Sequence, residues 1–273
     1  MKKTKMADLA ILLTITALAA LVSLLLKANF FISTLLLFGL PSLFLSYKNF
    51  KAIKKTAIFS FLITVPFTLL FDYLISVDRG WHIVSTVFNF RLFGIVALEQ
   101  FIWAFLWVYQ IIVFYEYFLD QQKTANPLTF LLKIFSKKTW AVTKRMEVFS
   151  IVIFAGLLGF ISFVLINPVF IKVGYAYFWL GLIFGVVPLS IFLIKFPNFW
   201  KKFIIVTVYF FFMAIIVEFI GLKLNHWAFP GNHYIGVMNF FGFRIPLEEI
   251  ILYFFISTPA ILSYYEFLDD DRK

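Results

Sequence analysis

The sequence predicts an all-α, polytopic transmembrane helical bundle of about eight helices, and three observations carry that prediction. Hydrophobic residues make up 63% of the 273 and charged residues only 14%, well short of the roughly one quarter that soluble domains carry. Apolar stretches long enough to cross a hydrocarbon core of about 30 Å recur at about residues 8–26, 30–47, 56–74, 93–118, 148–166, 174–194, 203–222 and 245–267. Lysines and arginines punctuate these stretches, and with the N-terminus inside, 18 of the 24 fall in inner segments. The positive-inside rule therefore predicts an integral protein of the cell membrane with both termini cytoplasmic.

Each element follows in order. The first stretch, within residues 1–29, begins MKKTKM and contains Ala17-Leu18-Ala19, which imitates a cleavable signal. Its hydrophobicity continues to Leu26, so an uncleaved anchor is expected. Residues 30–118 hold three helices, with Pro41 in the first, Asp72 closing the second and Glu99 opening the third. Residues 119–173 form a linker: a basic inner loop around Asn126-Pro127, suited to anionic headgroups, and one further crossing at 148–166. Residues 174–267 hold three more helices, and 268–273 are a solvated tail.

The three-helix segments read as tandem copies of one unit. At an offset of 149, Leu98-Glu99 falls on Leu247-Glu248, Tyr115 on Tyr264, and Phe118-Leu119-Asp120 on Phe267-Leu268-Asp269. Upstream the offset is 146 or 147, placing Asp72 on Glu218, Trp81 on Trp227 and Pro41 on Pro188. An odd number of helices per unit would invert the second copy. The crossing at 148–166 restores it, so both units are expected in the same orientation, with their acids toward the outer half.

Composition excludes several chemistries. Without cysteine there is no disulfide, thiolate nucleophile, Fe–S cluster or Cys-bound zinc, and three histidines without HExxH spacing argue against any metal site. The net charge of +10 is spread between apolar runs and so does not form a nucleic-acid face. No GxGxxG, Walker A or GxSxG pattern occurs among the 12 glycines. The spacing of Gly181 and Gly185 reads as close helix packing.

Carboxylates inside spanning segments are costly, by about 2.5–3.5 kcal/mol at the helix centre. Glu99, Glu248 and Glu249 lie about two turns inside their helices, and Asp72 and Glu218 close the preceding ones. A structural account is available: helix-start carboxylates favoured by the dipole, or partners of Arg91 and Arg244. Their repetition in both copies favours chemistry. Trp81 and Trp227 are either interfacial anchors or substrate contacts, and Glu116 and Glu266 read as boundary carboxylates. Aromatic faces follow the acids, including Trp103 in the first copy and Tyr253, Phe254 and Phe255 in the second.

The succession of an acid closing one helix, Asn225-His226-Trp227-Ala228-Phe229-Pro230, a glycine-bearing stretch and Ile245-Pro246-Leu247-Glu248-Glu249 leading into Tyr253-Phe254-Phe255 resembles the integral-membrane lycopene cyclases. In that family a three-helix domain occurs as two small subunits or as a fused tandem chain. The first copy departs from the pattern, reading Ala97-Leu98-Glu99-Gln100 where proline and a second acid would stand.

The resemblance implies a redox-neutral cyclisation of the linear ends of lycopene to β-rings. It implies catalytic roles for Glu248, Glu249, Glu99, Asp72 and Glu218, with Glu248 the leading acid. Substrate contacts would come from Trp81, Trp227, Phe229, Trp103, Phe254 and Phe255. No cofactor is expected. The partners would be lycopene or a related linear carotenoid, the lipid bilayer and other membrane enzymes of carotenoid synthesis. Two other classes stay open: a tandem-repeat transporter, marked by the matching Pro41 and Pro188, and a non-enzymatic carotenoid- or lipid-binding protein.

Overall fold

The computed structural model describes residues 3–120, 144–166 and 171–269, so most of the basic loop lies outside the described residues. Among them eight helices run up and down: α1 (Lys3–Leu25), α2 (Phe30–Lys48), α3 (Ile53–Val77), α4 (Leu98–Phe118), α5 (Lys144–Ile166), α6 (Ala176–Lys195), α7 (Trp200–Lys223) and α8 (Glu249–Leu268). Seven of them, α1 to α4 and α6 to α8, are long and apolar enough to cross a bilayer. The chain is an integral membrane protein with an all-α bundle. Helices suit this solvent because each satisfies its own backbone groups where no water can.

Interruptions of the helices fall at matching places. A wide π-turn at Leu35–Gly39 precedes Pro41 in α2, and another at Leu182–Val186 precedes Pro188 in α6. Proline removes an N–H and crowds the carbonyl four residues before it, and a π-turn is one way a helix can absorb such a conflict. In α6 the carbonyl concerned, Phe184 O, accepts from Tyr264 Oη at 3.1 Å. Helices α3 and α7 also stop alike. Arg79 and Asn225 take left-handed φ of 61° and 58°, and the next residue bonds back five positions, Gly80 N to Ile75 O and His226 N to Gly221 O, each at 2.7 Å. This is the Schellman way of satisfying the last carbonyls.

The predicted stretches 93–118 and 245–267 begin later than their hydrophobicity suggests. Short hairpins occupy the approach: β2 (Arg91–Leu92) with β3 (Val96–Ala97), and β5 (Val237–Phe240) with β6 (Phe243–Pro246). Their turns need consecutive positive φ, supplied by Phe93-Gly94 and Phe241-Gly242. A third pair, β1 (His82–Ile83) with β4 (Trp227–Ala228), joins the two Trp-bearing loops to each other.

One register expectation changes. Helix α8 opens with a π-helical run, Glu249–Ile256, where α4 is α-helical throughout. The extra residue such a turn holds moves the offset from 149 to 150. The equivalent of Tyr115 is thus Tyr265 and not Tyr264: Tyr115 Oη donates to Glu266 and Tyr265 Oη donates to Glu116, a reciprocal pair across the halves. Glu116 also pairs with Lys55 at 2.8 Å, so these are buried ties between helices.

Candidate active site between the halves

A cavity of about 230 Å³ lies between α3, α4, α6, α7 and α8. Its walls are mostly apolar and aromatic, and four carboxyl or carboxamide side chains reach it: Asp72, Gln100, Glu218 and Glu249. All four are at least 93% shielded from solvent. They form two related pairs, Asp72 with Glu218 at the ends of α3 and α7, and Gln100 with Glu249 at the starts of α4 and α8.

Each acid of the first pair is held by the indole from its own following loop. Trp81 Nε1 donates to Asp72 Oδ1 at 2.7 Å and Trp227 Nε1 donates to Glu218 Oε1 at 3.0 Å. The spacing of nine residues is set by the Schellman turn, which folds the chain back over the helix end. In the second half the indole lies so close to α7 that a Cβ on Gly221 would stand 2.1 Å from its ring, so only glycine admits it there. The pairing of Ile83 with Trp227 ties the two loops together, and His226, next to Trp227, bonds to Ala28 O at 2.9 Å. Burial holds the His226 imidazole below its ordinary pKa, against the opposing pull of that carbonyl.

The second pair is differently placed. Glu249 Oε2 and Gln100 Oε1 are buried and have no hydrogen-bond partner among the described residues. An unpartnered buried polar atom carries a desolvation cost of about 1–3 kcal/mol, which is a reason to look for a ligand there. Tyr253, stacked on Tyr177 at 4.4 Å, donates to Tyr177 O and forms one wall beside Glu249.

Of the residues singled out from sequence, Asp72, Glu218, Glu249, Trp81, Trp227, Trp103 and Phe254 line the cavity, and Glu99, Glu248, Phe229 and Phe255 do not. Glu99 Oε1 accepts from the backbone of Val87 and Phe88, and Glu248 Oε1 accepts from Ile235 N at 2.6 Å. Both brace the hairpin loops. The arginines proposed to pair with them instead donate to loop groups, Arg91 to Ile83 O and Ile95 O, and Arg244 to Gly231 O and Asn232. Phe229 lies against Tyr177, and Phe255 is 47% exposed.

Gln100 and Tyr253 escaped the first selection. Gln100 stands at the position of Glu249 at the 149 offset, and that correspondence was the available signal. Tyr253 was visible only as an aromatic follower. Asp72, Glu218 and Glu249 do not converge into a cluster that could hold a metal ion. Set against known protein families, curated proteins and solved structures, the chain matches none of them.

Proposed function

We propose that the protein cyclises the linear ends of lycopene or a related linear carotenoid to β-rings by acid catalysis, as an integral-membrane lycopene β-cyclase without a cofactor. One observation carries this reading: a buried carboxyl group, Glu249, lacks a hydrogen-bond partner for Oε2 in an aromatic cavity shared by the two halves. Glu249 protonates the terminal double bond, an internal alkene attacks the resulting cation and closes the ring, and loss of a ring proton restores neutrality. Proton gained and proton lost balance, so no oxidant or reductant is consumed. Asp72 and Glu218, fixed by their indoles, accept the ring proton or oppose the cation's charge. The faces of Trp103, Tyr253 and Phe254 stabilise a desolvated cation by about 2 kcal/mol each where the approach is favourable.

Size fits the same reading. A cavity of about 230 Å³ is below the roughly 300–1,000 Å³ of sites that engulf a drug-sized ligand, so it takes the end of a long molecule and not its length. Such a substrate partitions into the bilayer and arrives from it. In this reading the protein lies in the cell membrane with cytoplasmic termini, beside other membrane enzymes of carotenoid synthesis.

Expression in a lycopene-accumulating host, followed by pigment analysis, tests the proposal. Conversion to monocyclic or bicyclic carotene supports it; unchanged lycopene with the folded protein in the membrane refutes it. The transporter reading draws on the paired π-turns at Leu35–Gly39 and Leu182–Val186, which resemble the matched helix breaks of transport proteins. It forecasts movement of a solute and no chemical change.

A further inference from the structure

The two halves differ most where the cavity meets α2 and α6. Because the π-turns Leu35–Gly39 and Leu182–Val186 coincide at an offset of 147, Thr34 corresponds to Gly181 and Phe38 to Gly185. Gly181 and Gly185 line the cavity. Their counterparts line only a void of about 10 Å³ beside Trp103 and Trp227, room for one water at most. Phe38 fills that side: it is fully buried and packs edge-on against Trp103 and Trp107, with ring centroids 6.0 and 5.5 Å apart. Helix α1 packs along α2 on this flank, whereas α5 packs on α3 and α8.

On the α6 side the cavity continues past Gly185 and is lined there by Phe67, Phe71, Phe184 and Tyr264. Their rings lie 5.3–5.9 Å apart where they touch, and all four are partly exposed. The glycine spacing that reads as helix packing is half that and half a ligand feature. A Cβ on Gly181 would strike Leu252 at 2.7 Å, whereas a Cβ on Gly185 would meet only Ile256 at 3.4 Å.

We propose that the site is one-sided: the tail of an elongated apolar chain lies along α6 past Gly185, between α3 and α8, while Phe38 blocks the mirror path along α2. The bound molecule therefore has a single direction, with its end at Glu249 and its tail leaving through the second half. This rests on the functional reading above for the identity of the chain, a linear polyene.

The test uses the full chain in lipid vesicles with lycopene as probe. Lycopene is achiral, so circular dichroism in its visible band reports a chiral protein site and does not depend on turnover. Wild type should induce the band, and Gly185→Phe, with unchanged helix content, should weaken binding by at least about tenfold. The double variant Phe38→Gly/Gly185→Phe, which moves the opening to the other half, should restore it. Should Gly185→Phe fail to fold, Gly185→Ala and Gly185→Val replace it: binding must fall with side-chain size, while Gly159→Val on α5 changes nothing. No band with wild type removes the functional reading and this inference with it. A wild-type band kept at full strength by Gly185→Phe, or by the whole Ala and Val series, removes the inference alone.

Discussion

Ile83 pairs antiparallel with Trp227, so the loop after α3 and the loop after α7 form one small ribbon over the cavity. Both indoles reach their acids from this ribbon. The halves are thus fastened at the loop end by backbone and at the other end by the reciprocal tyrosine–glutamate bonds.

That pairing makes a topological prediction in a chain without native cysteine. His82 and Ala228 are direct partners, at a separation that a disulfide can bridge. His82→Cys with Ala228→Cys should cross-link on mild oxidation in intact membranes, read as protection of both thiols from maleimide. Labelling of the two thiols from opposite sides of the membrane would show that the loops do not meet.

The neighbouring glutamates should behave differently. Glu249→Gln keeps shape but cannot deliver a proton, and should lower cyclisation about 100-fold or more, the usual scale for a lost general acid. Glu248→Gln can still accept from Ile235 N through its amide oxygen, so activity should stay within a few fold. Pigment ratios at matched membrane levels check both, and a reversed order would move the acid to Glu248.

Removing an indole donor strands a buried acid. Trp81→Phe and Trp227→Phe should each destabilise the fold by about 1–3 kcal/mol, seen as a lower thermal transition in detergent. Asp72→Asn combined with Trp81→Phe should recover part of that loss, because the neutral amide is cheaper to bury unpaired.

The tyrosine–glutamate ties should matter for assembly and not for chemistry. Tyr115→Phe and Tyr265→Phe leave Glu266 and Glu116 short of a donor, with an expected cost of about 1–3 kcal/mol each. The two rings touch at 6.4 Å, so the double variant should depart from additivity. Unfolding of all three variants measures the coupling, and product per folded molecule should hold constant.

His226 supplies a pH prediction. Its folded pKa lies below the ordinary value of 6.5, so the unfolded chain binds the proton more readily. The contribution is fully present above about 6.5 and is lost as pH falls from there toward the folded value. Between pH 8 and pH 5.5 the wild type should lose stability that His226→Gln, still able to donate to Ala28 O, does not lose. Parallel curves for the two proteins would remove the histidine as the cause.

Sequence periodicity was enough to find the helices because lipid demands unbroken apolar length, and the cost of charge there singled out Asp72, Glu218 and Glu249, which the structure places at the cavity. It could not show that Glu99 and Glu248 turn to the loop backbone, since the hairpins at 91–97 and 237–246 are built from the same apolar residues as the helices they precede. Only Phe93-Gly94 and Phe241-Gly242 betray the turns. The 147 offset of Pro41 and Pro188 already sets Phe38 against Gly185, but that one faces Trp103 and Trp107 while the other lines the cavity depends on tertiary packing.

The π-helical opening of α8 also has a consequence for the chain as a duplicated object. One additional residue turns a helix by about 100°. A symmetric assembly of two first halves would carry Gln100 twice, and one of two second halves would carry the inserted residue on both sides. Neither reproduces the arrangement in which one helix is straight and its twin is rewound. The two halves are complementary parts and not interchangeable copies.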